Sequence, residues 1–511
     1  MSGPGRVPAV PRQPPIWELA GRPPNAVALD DGHTRRTWHD LEVRSRAVGR
    51  ALSEMVGGPG HHIAIVAGNR VEYLEVVIAA TRAGLVYTPV KTGWTAGEIA
   101  VVLQDAKTRL VVTDTDAGRV AAREAGVPVV DLDADFDEWV DGLDDEPLPY
   151  DLAGWKLSYT SGTTGRPKGV VPAYMGSRPF PDAFVASRTM ADLVHLPGEG
   201  THLFVSALFH GAPLTFGLGA LASGATLRIL DRWDPATALA LLQDGVTSTC
   251  MVPTMFRQLL ALPETDRRAF HAPGLRTVAH GGEGCSEPLK RAMLEWWGPV
   301  LVEYYGFTEG GLTVATSEEW LARPGTVGRG SQERRITIRD ADDHVLEPGV
   351  DGVVYFEQPG VTTFRYLGDD AKTAAAFSGT SYTVGDVGHL DDEGYLYITG
   401  RSADLIVSAG VNVYPAEIET VLDGTPGIAD LAVVGAPDPE RGETIAAFVV
   451  VAVGYEPEAA IAQLRAVADE KLAGYRRPRR YLAVPELPRD ATGKLLRKDL
   501  RDRLWDRAPA R

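Results

Sequence analysis

Cysteine is nearly absent from this sequence: 511 residues include only Cys250 and Cys285. Two isolated cysteines exclude a disulfide scaffold. Neither sits in a metal-ligand spacing, and the usage suits a reducing cytoplasm. No uninterrupted apolar run reaches the length needed to cross a bilayer. The opening MSGPGRVPAVPRQPP carries Arg and Pro but no apolar core of signal-peptide length. A basic excess is missing too. The formal charge of −17 argues against a dedicated nucleic-acid binder, although a nucleotide pocket can be locally positive inside an acidic protein. The expectation is a cytoplasmic protein with no nucleic-acid partner and no stable membrane insertion.

The chain exceeds the size at which one core stops growing, so at least two domains are expected. Gly and Pro are abundant, 55 and 36 residues, but dispersed and without a collagen period. Residues 1–20 read as a Pro-rich arm ahead of the first helix. Strand-like 63–67, helical 71–80 and strand-like 85–90 and 110–113 then alternate, the pattern of a mostly parallel sheet covered on both faces. Residues 133–149 are acidic and turn-rich and read as a surface crossing. From 336 to 392 short strands such as 352–357, broken by Gly, Pro and Asp, read as a smaller antiparallel sheet or barrel. From 401 the sequence resembles a separate small α/β unit: strand 405–407, helix 416–422 after Pro415, strands 428–434 and 445–453, and helix 457–472. The basic cluster from Tyr475 to Arg480 is either a solvated surface or a contact for the phosphates of a second substrate.

Residues 158–170 read SYTSGTTGRPKGV. Thr160, Ser161, Thr163 and Thr164 crowd hydroxyls together, while Gly162, Gly165 and Gly169 permit turns that a side chain would block. Such a loop can aim N–H and O–H donors at an oxyanion, and Lys168 adds a point charge. The triphosphatase pattern GxxxxGK[ST] is not matched, because Gly169 follows Lys168. This is a phosphate loop of another design.

The loop resembles the signature of the adenylate-forming superfamily, which includes acyl-CoA synthetases, peptide-synthetase adenylation domains and luciferases. The resemblance runs over most of the chain, and further motifs follow in family order. Tyr305-Gly306-Phe307-Thr308-Glu309 resembles the segment whose aromatic stacks by adenine, whose Thr meets the phosphate and whose Glu binds Mg²⁺; hard carboxylate and hydroxyl oxygens suit that ion. Glu309 and Thr164 are thus the implied metal ligands. The strip of Gly281, Gly282, Glu283 and Gly284 resembles the adenine-side strip after a strand at 276–280. Glu283 either touches a buried substrate or points to solvent. Asp386 resembles the carboxylate that accepts both ribose hydroxyls, and Arg401 the ribose-side residue that opens the C-terminal domain. Gly410 resembles the glycine of the loop that meets the nucleophile. Lys494, in PRDATGK, resembles the lysine bridging the attacking carboxylate and the α-phosphate, where a cation offsets charge in the transition state. His210 resembles the aromatic position at the acyl pocket and nucleophile tunnel. Met251, Val252, Pro253 and Phe256 are either pocket lining or core.

The sequence departs from the family at three points: Val384 stands for Thr, Ala403 for the usual polar hinge residue, and Val411 for a Glu frequent in CoA ligases. The resemblance implies an α/β fold: residues 1–400 form a large N-terminal domain of largely parallel sheets with a small distorted barrel, and residues 401–511 a small mobile C-terminal α/β domain carrying the lysine. It further implies that a carboxylic acid is activated by ATP with Mg²⁺ and passed to coenzyme A. The alternatives are transfer to a carrier protein or another nucleophile, or a non-catalytic nucleotide-binding scaffold. A homodimer is possible on this reading.

Overall fold

The computed structural model describes residues 14–160, 167–173, 176, 178–330, 334–357, 363–408, 411–438, 441–489 and 495–505. The chain divides into two compact units. The first is Met1–Cys250 with Glu264–Ala279 and Thr363–Asp370; the second is Met251–Pro263 with His280–Thr362 and Ala371–Arg511.

The first unit contains two largely parallel sheets. In one, the strands run in the order Val129–Asp131, Leu110–Thr113, His62–Val66, Val86–Pro89 and Trp155–Lys156, every pair parallel. Alternating strands and helices force this topology, because parallel neighbours need a crossover. Helix Trp38–Val56 starts at a capping box between Thr37 and Asp40 and stops at Gly57, whose φ of 91° favours a residue without Cβ. It packs on helix Val71–Arg82, whose Glu75 is fully buried and ion-paired to Arg36 at 2.9 Å and Arg44 at 2.6 Å. Only such pairing makes a buried carboxylate tolerable. The other sheet carries Val246–Met251, Thr201–Phe204, Thr226–Ile229 and Val27–Asp30 in parallel, with Arg35–Thr37 as an antiparallel edge.

The second unit holds an antiparallel sheet in which Gly352–Glu357 pairs with Arg335–Arg339, Ser381–Tyr382 and Asp386–Leu390, and the last of these with Leu396–Arg401. It also holds the five-stranded sheet of the C-terminal stretch, in the order Val411–Val413, Ile406–Ser408, Gly442–Val451 and Ile428–Asp438, with Arg480–Ala483 parallel to Gly442–Val451. Strand periodicity sorts its two faces. Leu431 and Val433 join Ile418, Leu422 and Leu464 of helices Pro415–Leu422 and Pro457–Lys471. Ala432, Val434 and Ala436 join Leu500 and Leu504 of helix Arg497–Trp505 on the other side.

Two expectations need correction. The Pro-rich arm is already helical at Ile16–Leu19, where Ile16 is fully buried and its N–H donates to Glu42 at 3.0 Å. The acidic crossing contains a helix, Phe136–Asp141, that buries Phe136 and Val140 while Asp137 pairs with Arg36 and Arg44. Among the described residues no helix is long and apolar enough to cross a membrane.

Candidate active site

In the first unit the phosphate-type loop closes a hairpin. Strand Ser158–Thr160 pairs antiparallel with Lys168–Pro172, so Thr160 lies opposite Lys168 and Tyr159 opposite Gly169. The two ends of the loop are therefore fixed in register. Ser161, Gly162, Thr163, Thr164 and Gly165 lie outside the described residues. The hairpin is anchored from behind: the Tyr159 hydroxyl donates to Asp105 at 2.6 Å. Burial, and then Asp105, push the phenol well above its ordinary range. A Cβ on Gly169 would sit 3.2 Å from Tyr159 and from Leu367, which explains a glycine where two side chains close in.

His210 occupies the N-cap of helix Gly211–Ala222, its ring 4.3 Å from that of Phe209. Two residues missed at the sequence level set this position. The Lys156 ammonium donates to the Gly211 carbonyl at 3.0 Å and to Thr215 Oγ1 at 2.8 Å. Asn69 donates to the carbonyls of Ser206 and Leu230 and accepts from the Leu208 N–H at 2.7 Å. Burial lowers the Lys156 pKa to about 8. A lone Lys between the apolar Trp155 and Leu157 is the one local signal of its role.

The second unit builds a tight polar triad. Tyr305 lies on strand Leu301–Phe307, and its hydroxyl donates to Asp386 Oδ2 at 2.5 Å. Arg401 Nε meets Asp386 Oδ1 at 2.7 Å. Asp386 and Arg401 are direct partners across strands Asp386–Leu390 and Leu396–Arg401, so register alone brings them together. Asp386 is buried to 3% exposure. Burial and the adjacent carboxylate push the Tyr305 phenol well up; burial opposes the charge on Arg401, and Asp386 more than restores it. A carboxylate offers about four lone-pair sites, so each Asp386 oxygen keeps one acceptor position beyond the bonds it already makes. Phe307 and Phe356 pack on the Tyr305 ring, each with its centroid 6.2 Å away, and Tyr382 backs both of them.

Strands Leu301–Phe307 and Gly310–Thr316 form a hairpin with Thr308 and Glu309 at its tip. The register slips at Gly306/Phe307 and Gly310 takes φ 129°, which turns the chain in a way few other residues allow. Thr308 is exposed, whereas Glu309 is buried to 8%. A buried carboxylate beside an exposed hydroxyl fits a hard divalent cation such as Mg²⁺.

The glycine strip is shaped by close approach. A Cβ on Gly281 would collide with the Tyr304 carbonyl, and Gly282 takes φ 85°. Gly284 has open space around it. The solvent-pointing alternative for Glu283 does not hold: Oε1 accepts from the Thr254 N–H and hydroxyl, both at 2.6 Å, and Oε2 accepts from Arg489 at 3.0 Å. Behind the strip, burial holds the His280 imidazole neutral, well below its usual range, against Phe256. Phe256 also packs on Trp297, and Met251, Pro253 and Phe256 are all buried.

Gly410 and Lys494 lie outside the described residues. The flanks of the lysine segment are paired: Arg489 bridges Leu495, and the Leu496 N–H donates to the Pro488 carbonyl at 2.9 Å. Ala403 sits in a 3₁₀ turn, Ser402–Asp404, and the Ser402 N–H donates to the Gly385 carbonyl at 2.8 Å. Within the basic cluster, Arg476 pairs with Glu417 at 3.0 Å and Arg477 with Asp469 at 3.1 Å, so part of that charge is used internally.

Comparison with known proteins is consistent across the chain. Residues 16–364 match the AMP-binding enzyme family and residues 417–494 its C-terminal domain. The fatty acid–acyl-carrier-protein ligase ScoC of Streptomyces coeruleorubidus is 33% identical, with 94% of this chain and 94% of ScoC covered. A feruloyl-CoA synthase of Amycolatopsis is 32% identical, covering 94% of this chain and 96% of its own. Among solved structures, ATP-bound MatB from Rhodopseudomonas palustris superposes with a TM-score of 0.82 at 26% identity, covering 96% and 98% of the two chains.

Proposed function

The chain belongs to the AMP-binding enzyme family, and on that premise we propose that it joins a carboxylic acid to AMP and then passes the acyl group to coenzyme A. Acid activation through an adenylate is the chemistry of the relatives it matches, and ATP is bound by the superposing MatB. The Tyr305–Asp386–Arg401 triad carries the reading for this chain. It presents a buried carboxylate with acceptor capacity left over, suited to a ribose that offers two hydroxyl donors.

In this proposal Thr160, Ser161, Gly162, Thr163, Thr164, Gly165 and Lys168 take the triphosphate. Gly282, Gly284 and Tyr305 take the adenine, and Asp386 and Arg401 the ribose. Glu309 and Thr164 would hold Mg²⁺, which when bound neutralises phosphate charge. Thr308 stands by the phosphates. The acid's carboxylate attacks the α-phosphorus, a P–O bond forms, and the bond to PPi breaks. Lys494 offsets the charge of the two anions as they meet. The carboxylate is already ionised, so positioning does most of the work and no acid–base pair is required.

Residues 401–511 then act as a mobile domain pivoting at 402–404. Rotation brings the Gly410 loop to the acyl group, and the CoA thiolate displaces AMP. Ala403 permits this, because a hinge is a matter of backbone torsions. His210, held by Lys156 through the first turn of its helix, shapes the path of acid and thiol.

Transfer to a carrier-protein thiol is the second reading. It is favoured by Val411, where CoA ligases often carry Glu, and by the 33% identity to a ligase whose name specifies an acyl-carrier protein. Products separate the two. Incubation with fatty, alicyclic and aromatic acids, ATP and Mg²⁺, with CoA or with a phosphopantetheinylated carrier, is followed by mass spectrometry. Acyl-CoA supports the first reading; acyl-carrier with no acyl-CoA from any acid overturns it.

A further inference from the structure

Arg489 lies five residues before Lys494, and its guanidinium is shared between two carboxylates. Nη2 and Nε reach Asp430 Oδ2 at 2.7 and 3.3 Å, and Nη1 reaches Glu283 Oε2 at 3.0 Å. The three side chains are only 13–22% exposed. The two partners differ in kind. Asp430 belongs to strand Ile428–Asp438, in the same C-terminal stretch as Arg489, so it aims Arg489 whatever else that stretch touches. Glu283 belongs to the glycine strip, and Thr254 orients it through two further hydrogen bonds. A second ion pair links the same two stretches with the signs reversed, Arg257 to Asp423 at 3.3 Å.

From this geometry we infer that Arg489 is a positioning residue for the first half-reaction: Asp430 presents it, and Glu283 catches it. The clasp holds Arg489 against the glycine strip, and on the function proposed above this is the pose for adenylate formation. The Asp430 contact persists if residues 401–511 turn as a body, whereas the Glu283 contact must break. The clasp therefore favours one half-reaction selectively. Charge-assisted bonds between partly buried groups are strong enough to do so. Lys in place of Arg could reach one carboxylate but not present the same fork to both.

The test uses the full-length chain with R489A, R489K and E283Q. In R489A, ATP–PPi exchange at saturating ATP falls about tenfold or more, the ATP KM stays within about twofold, and conversion of supplied acyl-adenylate to thioester is retained. This tenfold corresponds to 1.4 kcal/mol. E283Q shows the same split, and R489K lies between R489A and the unsubstituted chain. Unchanged exchange in R489A overturns the inference. So does an equal fall in both half-reactions, or R489K no better than R489A.

A second readout needs no activity. A Cβ built on Gly424 lies 3.6 Å from Pro288 Cβ, within disulfide range. The pair P288C and G424C should form a disulfide under oxidised glutathione, and adding R489A should slow closure severalfold. Cys250 is buried, and burial pushes the Cys285 thiol well up, so neither competes readily. Closure at the same rate with and without Arg489 refutes the clasp. If the unsubstituted chain exchanges no PPi with any acid, the proposed function fails, and the cross-linking result still decides the clasp.

Discussion

Replacing Asp386 with Asn isolates the ribose-binding role, because shape is kept and one acceptor is exchanged for a donor. In the folded protein Oδ2 accepts from Tyr305 and Oδ1 meets Arg401. An amide can accept at one of these positions only; at the other its NH₂ confronts a donor. Two costs follow. The first concerns the fold: one charge-assisted bond is lost, at about 1.5–3 kcal/mol in a buried setting. Arg401 is 45% exposed, so water recovers part of that, and about 1–2 kcal/mol remains. In a chain of this size that shifts the midpoint of thermal unfolding by less than about 3 °C. The second cost concerns ATP. One or two ribose hydroxyls lose a charged acceptor, and about 1.5–3 kcal/mol translates into roughly 10- to 150-fold weaker binding. Calorimetric titration with ATP and with 2′,3′-dideoxy-ATP separates the two costs. The unsubstituted chain should bind ATP at least tenfold more tightly than the dideoxy analogue, and D386N should bind the two almost equally. If D386N binds ATP as tightly as the unsubstituted chain, or keeps the full preference for the ribose hydroxyls, the assignment is wrong.

Three further outcomes are expected. K494A should lower the rate of adenylate formation by about a hundredfold or more while ATP affinity stays within a few-fold, measured by rapid quench and titration; full adenylation in K494A would remove the role given to the lysine. E309Q should raise the Mg²⁺ concentration needed for half-maximal exchange by about tenfold, and an unchanged Mg²⁺ dependence would count against Glu309 as a ligand. The third concerns pH. Burial depresses Lys156 from 10.5 to about 8 in the folded chain, so between those values the unfolded chain holds a proton that the folded one has released. Stability from this group is fully present above the unfolded value and is lost as pH falls towards 8. Urea midpoints from pH 7 to 10 should therefore rise more steeply in the unsubstituted chain than in K156M; parallel profiles would contradict the assignment.

The elements that sequence made legible are those with a strong local period. The strand expected at 110–113 is found at Leu110–Thr113, and that at 352–357 at Gly352–Glu357. In the C-terminal stretch, strands and helices fall within a few residues of expectation, because alternation at 431–436 sends side chains to two different cores. Short elements without a full period were illegible. Helices Ile16–Leu19 and Phe136–Asp141 span four and six residues and are held by remote partners such as Glu42 and Arg36, not by pattern. The same limit applies to the site. Tyr305, Asp386 and Arg401 were each legible from motif resemblance, but the bond linking Tyr305 to Asp386 joins residues 81 apart. Glu283 and Arg489 are 206 apart, and no local feature relates them. Lys156 carries no motif at all; only folding reveals that it secures the helix after His210.

Every step proposed for this chain follows from attack of a carboxylate on the α-phosphorus of ATP. Its most direct test is exchange of labelled PPi into ATP, measured with purified full-length protein, Mg²⁺ and a broad panel of carboxylic acids. Exchange should depend on one or a few acids and disappear in K494A. Tight ATP binding with no acid-dependent exchange anywhere in the panel would contradict it.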